Sequence, residues 1–424
     1  MKGRKIITLL MVFFFIFPVF MHAQEACTIG VAVGKATIDG RPLLWKNRDS
    51  RDKNNSVHLF KRANLSFVGI IKSGDTTKVW MGVNTLGFAI LNSSSKDLEG
   101  DNSSENGIIM KKALETCQTV GDFEELLLKT NKKGRKTRAN FGTIDILGQG
   151  AIFETGNHSF VRFNAKDAPY GSVIRTNYAL TGVKDSLAYG YQRRARADLL
   201  ILRKAREKTL SYPYIFQTVS RDLVNESAYP YPLPFSGRQD SLPRGVLYTQ
   251  NSINRYKTVS VAVFHGVSSG ENPLLTTMWV ILGQPVCGVA FPVWANVMRL
   301  PAEISVGDPP KMNALVQQIE SIVYPDTNHA GWLYTSRLQS SAGAGLLPQL
   351  IAAEDSIFTN TKRAVTRWRK VPNSEEMNEF EGQTARRVLN LYQRIVKKNR
   401  LLKGEIKYRK EVTSPHLKKS KTCD

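Results

Sequence analysis

What most limits how this chain can fold lies at its start. A basic MKGRK and an apolar IITLLMVFFFIFPVFM are followed by HAQEA and then Cys27. Basic, apolar and small-residue regions in that order make a secretory signal peptide. The apolar run is short for a membrane anchor and is interrupted by Pro18. Residues 1–26 are therefore read as a removed leader, cut after Ala23 or Ala26, and the mature protein as secreted or periplasmic. A lipoprotein reading fits less well, because Gln24-Glu25-Ala26 lacks the aliphatic residue expected before a lipidated cysteine. A cut after Ala26 makes Cys27 the first residue of the folding chain.

The chain that remains is long enough for one large core or two ordinary domains. Its cysteines, Cys27, Cys117, Cys287 and Cys423, form no CxxC pair, and the six histidines are scattered, so neither a zinc site nor a disulfide framework is expected. An isolated cysteine just after a leader is then a candidate for chemistry. The formal net charge is +23. Basic runs such as Gln192-Arg193-Arg194-Ala195-Arg196 and Lys397-Lys398-Asn399-Arg400 carry part of it, without a nucleic-acid recognition motif or regular aromatic interleaving. The charge is read as a solvated basic face suited to anionic lipid or polysaccharide.

Turn residues and Val/Ile-rich runs predict strands at Thr28–Ala36 and Leu43–Trp45, joined as a hairpin through Asp39-Gly40, then at 67–71, 78–83 and 88–91. A helical pattern covers 107–129. Another hairpin joins 140–145 to 151–154 through Gly148-Gln149-Gly150, and a long basic helix covers 186–207. Prolines break up 212–245, whose aromatics suit either a substrate-facing flap or an ordinary packed loop. Strands resume at 258–265 and 276–282. From Asn313 the pattern is helical, with Met377, Phe380, Val388, Leu391 and Ile395 at helical spacing and Asn373 with Glu376 as a capping box. The expected organisation is a β-rich α+β domain over 27–310, a helical extension over 311–407 and a basic flexible tail over 408–424.

A cysteine at a chain terminus carries its own base. An α-amine has an unperturbed pKa of about 7.7–8.0, so it accepts the thiol proton near neutral pH without a histidine. The order of motifs after Cys27-Thr28 bears on this. Asp39-Gly40 and Asn47-Arg48-Asp49 come first, then Gly82-Val83-Asn84-Thr85-Leu86-Gly87-Phe88 with Leu91-Asn92. Asp145-x-x-Gly148 with Glu154, Arg175-Thr176-Asn177, Ser252-Ile253-Asn254-Arg255-Tyr256 and Leu282-Gly283-Gln284-Pro285 follow. Together they resemble Ntn hydrolases related to choloylglycine hydrolase and penicillin V acylase. They also resemble acyl-CoA:6-aminopenicillanic acid acyltransferase and its carcinine-hydrolase-like relatives. The resemblance implies a four-layer αββα sandwich with Cys27 as nucleophile and its α-amine as base. It further implies that Asp49 orients the amine, that Asn92 and Asn177 steady the oxyanion and the amine network, and that Arg255 polarises or pairs within the site. No cofactor is implied.

Lys46 departs from the pattern, since choloylglycine hydrolases carry an arginine there. A lysine keeps the charge but loses the planar fork. That weighs against bile-salt hydrolysis and toward the acyltransferase or carcinine-hydrolase branch. Arg48 shares a strand face with Lys46 and could substitute. Two other readings compete. Gly266-Val267-Ser268-Ser269-Gly270 fits the G-x-S-x-G elbow of a serine hydrolase, but strand-like residues follow it where an elbow needs a helix. A secreted basic binding protein without activity is the non-enzyme alternative. The leading expectation is an exported amidohydrolase or acyltransferase acting on a linear amide bond of a small N-acylated molecule.

Overall fold

A computed structural model describes residues 27–63, 65–101, 103–183, 189–225, 246–325, 330–339 and 344–413. Residues 1–26, where the leader is expected, the AYPYPLPF stretch and the end of the tail lie outside them. Strands β1 (Thr28–Ala32) and β2 (Leu43–Asp49) pair antiparallel with Ala32 opposite Leu43. The first hairpin therefore exists, but its connection is longer than a tight turn. It includes a 3-10 turn at Gly34–Ala36, and Gly40 takes the left-handed conformation that glycine adopts without steric cost.

Seven strands then form an antiparallel meander in sequence order. They are β3 (Asn55–Phe60), β4 (Phe67–Lys72), β5 (Met81–Asn84), β6 (Ala89–Ser94), β7 (Ala139–Ile144), β8 (Gly150–Thr155) and β9 (Phe160–Asn164). Between β6 and β7 the single helical pattern resolves into α1 (Asn106–Thr116) and α2 (Val120–Asn131). The break has a local cause. The Thr119 side chain accepts from Asp122 N while the Asp122 carboxylate accepts from Thr119 N, a reciprocal cap that starts a new helix.

Next come β10 (Ser172–Arg175), α3 (Tyr191–Arg206), β11 (Val246–Tyr248), β12 (Thr258–His265), β13 (Thr277–Leu282), β14 (Phe291–Val293) and β15 (Trp332–Tyr334). The second sheet has the order β10-β1-β2-β12-β13-β14 and is antiparallel throughout, while among the described residues β11 pairs only with β15. The basic helix begins at Tyr191, later than its charge pattern suggests.

The two-residue strand period sorts the core. Phe67, Ile71, Ile90, Phe141 and Phe153 face Met110, Leu114 and Phe123 of α1 and α2. Val68, Ile70, Met81 and Leu91 point the other way and join Val31, Leu44 and Phe264 of the second sheet in a separate core. Beyond that sheet, α3 packs on β1 and β10, the helix Lys311–Val323 on β13, and the helices Leu346–Trp368 and Ser374–Thr413 on β14. The α+β expectation holds, with antiparallel sheets. Asn373 does cap the last helix, accepting from Glu375 N and Glu376 N, but Glu376 takes the Trp368 indole N–H instead of closing a reciprocal box. Among the described residues no helix is long and apolar enough to cross a membrane.

A buried ion pair ties the Leu346–Trp368 helix to this core. Arg221 donates to Glu354 Oε1 at 2.7 Å and Oε2 at 2.8 Å, and also to the carbonyls of Pro285 and Gly288. Removing one partner of such a pair leaves an uncompensated buried charge, so Glu354→Ala should cost roughly 3–5 kcal/mol. The urea midpoint in equilibrium unfolding reads this out, and a shift within error of zero would show that the pair is dispensable.

Candidate active site

Strand register gathers residues from distant parts of the sequence. Thr28 pairs with Asn47 on β2, and Ile29 with Arg175 on β10. Cys27 therefore sits beside the end of β2, where Asp49 is the last residue, and the end of β10, just before Asn177. Asp49 in turn stands opposite Thr258, the first residue of β12, with Arg255 shortly before it. Asn92 comes from β6 in the facing sheet. All five residues are buried.

The hydrogen bonds define the site atom by atom. Cys27 N donates to Asn177 Oδ1 at 2.7 Å, and Arg193 Nη2 donates to the same oxygen at 3.0 Å. Asn177 Nδ2 donates to Ser94 O. Both donors to Oδ1 lack acceptor capacity, which fixes the orientation of this amide. Lys46 Nζ donates to Asn92 Oδ1 at 2.9 Å and to Trp80 O at 3.1 Å. An ammonium only donates, so the Asn92 Nδ2 group is directed away from it. Asp49 Oδ1 accepts from Thr258 Oγ1 at 2.7 Å, and Asp49 Oδ2 lies 3.7 Å from Arg255 Nη1. Burial pushes the Asp49 carboxyl up to about 6, against the opposing pull of Arg255, Arg193, the Thr258 hydroxyl and Lys46.

Arg193 belongs to this site, and the sequence reading placed it in a solvated basic run. Its Nη1 donates to Cys27 O at 2.8 Å and to Thr28 Oγ1 at 3.1 Å. A signal was present. Arg193 stands on the same stripe of α3 as the buried Ala197, Leu200 and Ile201, so a cation occupies a core-facing position. Tyr189 links it to Arg255, which donates to the Tyr189 hydroxyl at 3.2 Å, and both guanidiniums lie near the Tyr189 ring. Arg48, the other candidate to stand in for the arginine of choloylglycine hydrolases, donates instead to Asn55 Oδ1 and stacks on Trp80.

Several motif residues turn out to hold the frame. Asn84 ties the β5–β6 turn to α1 by donating to Leu114 O and Cys117 O. Asp145 accepts from Val120, Leu147 and Gln149 amides in the β7–β8 turn. Glu154 binds Arg175 Nε at 2.6 Å and accepts from the Leu180 and Thr181 amides, which fixes the chain on both sides of Asn177. Gln284 Nε2 donates to Arg255 O. Ser268 lies in the turn between antiparallel β12 and β13, where its own amide donates to Glu271. A strand-turn-helix elbow is not formed there. Cys117 and Cys287 are free and buried, with thiols that burial pushes up to about 11 and well above the ordinary range respectively. Neither is poised to react.

No family model matches this sequence, and no curated protein does. Similar solved structures include a variant of the conjugated bile acid hydrolase of Clostridium perfringens, at 13% identity and a TM-score of 0.38 over 60% of this chain and 89% of the other. Penicillin V acylase of Agrobacterium tumefaciens matches at 15% identity and 0.36, over 63% of this chain and 86% of the other. The Caenorhabditis elegans ortholog of N-acylethanolamine-hydrolyzing acid amidase matches at 14% and 0.33, over 44% and 87%.

The raised Asp49 pKa has a stability consequence whose sign is fixed. A carboxyl with a folded-state pKa above its unfolded value stabilises the fold below the unfolded value, near 3.8, and that contribution is lost as pH rises through about 6. Wild type should therefore lose stability relative to Asp49→Asn between pH 4 and 7, by about 3 kcal/mol at most. Parallel denaturation curves across that range test it. A difference that is flat or runs the other way would remove the buried carboxyl from this role.

Proposed function

We propose that the chain from Cys27 onward is an Ntn hydrolase of four-layer αββα architecture. In this reading export removes residues 1–26 and Cys27 becomes the catalytic nucleophile. The reaction is hydrolysis, or acyl transfer, at a linear amide of a small N-acylated molecule. One observation carries the reading: the nitrogen that becomes the α-amine is already held, at 2.7 Å from Asn177 Oδ1, inside a buried cluster of Arg193, Arg255, Lys46 and Asp49.

The chemistry follows from those positions. The released amine accepts the proton of Cys27 Sγ, and the sulfur attacks the amide carbonyl. Negative charge on the carbonyl oxygen is met by Asn92 Nδ2, whose partner Lys46 polarises it. Asn177 Oδ1 and ionised Asp49 hold and balance the ammonium, and Arg193 fixes the first peptide unit through Cys27 O. Collapse of the intermediate expels the amine, which takes the proton from the ammonium. The acyl group stays on Sγ until water or another acceptor removes it. The serine alternative lacks its elbow, and a binding protein without activity would have no need of a buried cationic cluster around a cysteine.

Mass spectrometry of the exported protein should find Cys27 as the first residue, and protein retaining Gln24-Glu25-Ala26 should be inactive until they are lost. Against a panel of N-acyl amides, Cys27→Ala should be inactive and Ser268→Ala within a few-fold of wild type. Asp49→Asn should lose about two orders of magnitude in rate, and wild-type rate should fall as pH drops below about 6. Turnover by Cys27→Ala, or by protein shown to retain Ala26, would defeat the proposal.

A further inference from the structure

The outer side of α3 is built unlike the surface of an ordinary water-facing helix. Its inner stripe, Ala197, Leu200, Ile201 and Ala205, is buried on β1 and β10. The opposite stripe is also apolar. Tyr191 is 58% exposed and Leu199 59%, with the exposed Ala195 between them. Tyr170, 53% exposed and held in the left-handed conformation, leans over the same groove. These residues form one contiguous patch of large apolar surface rather than isolated exposures.

Charge decides what the patch faces. From Tyr191 to Arg206, α3 has six basic residues and one acid. Arg193 is buried in the site, Arg194 pairs with Asp198, Arg196 with Asp222 and Lys204 with Glu207. Arg203 and Arg206 flank the apolar groove, with Asp198 at its side; Arg203 bonds the Tyr214 hydroxyl and lies near Glu207, and among the described residues neither arginine forms an ion pair as close as these three. An apolar stripe rimmed by two arginines, on a chain of net charge +23, complements a surface that is apolar at depth and anionic at its boundary. A polysaccharide offers the charge without the apolar layer, and a second copy of this chain would oppose arginine to arginine.

We propose that this face of α3 seats the protein on an anionic phospholipid bilayer. Tyr170, Tyr191 and Leu199 enter the headgroup region, and Arg203 and Arg206 meet lipid phosphates. A cavity of about 460 Å³ shares Asp198 and Leu202 with the patch and is lined further in by Arg175, close before Asn177. The proposal is independent of the amidase reading, since none of the membrane-facing residues touches Cys27.

Co-sedimentation of the mature protein with vesicles tests it, using phosphatidylcholine alone or mixed with phosphatidylglycerol. Binding is expected to the mixed vesicles, to weaken with added salt, and to fall about tenfold in Leu199→Glu and about fivefold in Arg206→Glu. Circular dichroism melting should show both variants folded, because both positions are solvent-exposed. Cys27→Ala should bind as wild type does, so failure of the nucleophile assignment would leave this result standing. Absence of binding, or equal binding by wild type and Leu199→Glu, would overturn the proposal.

Discussion

Asn177 Oδ1 accepts from two donors at once, the Cys27 nitrogen and the Arg193 guanidinium, and the rest of the site is arranged around that oxygen. A carboxamide can hold two donors in fixed directions only if it cannot rotate. Its other end is fixed on Ser94 O, and its backbone is clamped on both sides. Glu154 grips Arg175 before it and the Leu180 and Thr181 amides after it, while Asn140 donates to the carbonyls of Thr176 and Tyr178. The meander thus positions a residue that belongs to the second sheet. Sheet-to-sheet packing and site geometry are one constraint.

Concentrating cations at the start of β1 has a price in desolvation, and the chain distributes it. Arg193, Arg255 and Lys46 surround a single carboxylate, Asp49, whose pKa burial raises to about 6 even against their pull. Such a cluster contributes little to stability. It favours negative charge arising nearby, which is what a sulfur nucleophile and a tetrahedral oxyanion both require. Stability comes from elsewhere, from the aromatic layer between the meander and α1–α2 and from the apolar layer between the sheets.

Much of this was legible in the sequence, for identifiable reasons. Cys27 stands out because a leader-like run of residues precedes it in the sequence, and the central strands because Val, Ile and Phe fill positions buried on both faces. Of the strands that escaped notice, β3, β9, β10 and β14 are the edges of the two large sheets, where pairing on one side alone leaves a weak pattern, and β11 and β15 are three-residue strands that pair with each other. Arg193 escaped because its neighbours Arg194 and Arg196 give it the look of a solvated run, and only its phase on α3 reveals that it faces inward. Asn84, Asp145 and Glu154 were visible as motif residues, but which of them touch the chemistry and which brace it is a matter of tertiary contact. Local spacing does not carry that information.

The central claim is that an acyl group is carried by the first residue of the mature chain. Quenching the protein with acid during turnover of an N-acyl amide and mapping the adduct by peptide mass spectrometry addresses this most directly. The account predicts the acyl mass on the peptide that begins with Cys27, attached at sulfur and released by hydroxylamine. An adduct on the peptide containing Ser268, or an acylated Cys27 that still has Ala26 in front of it in protein that turns over, would contradict it.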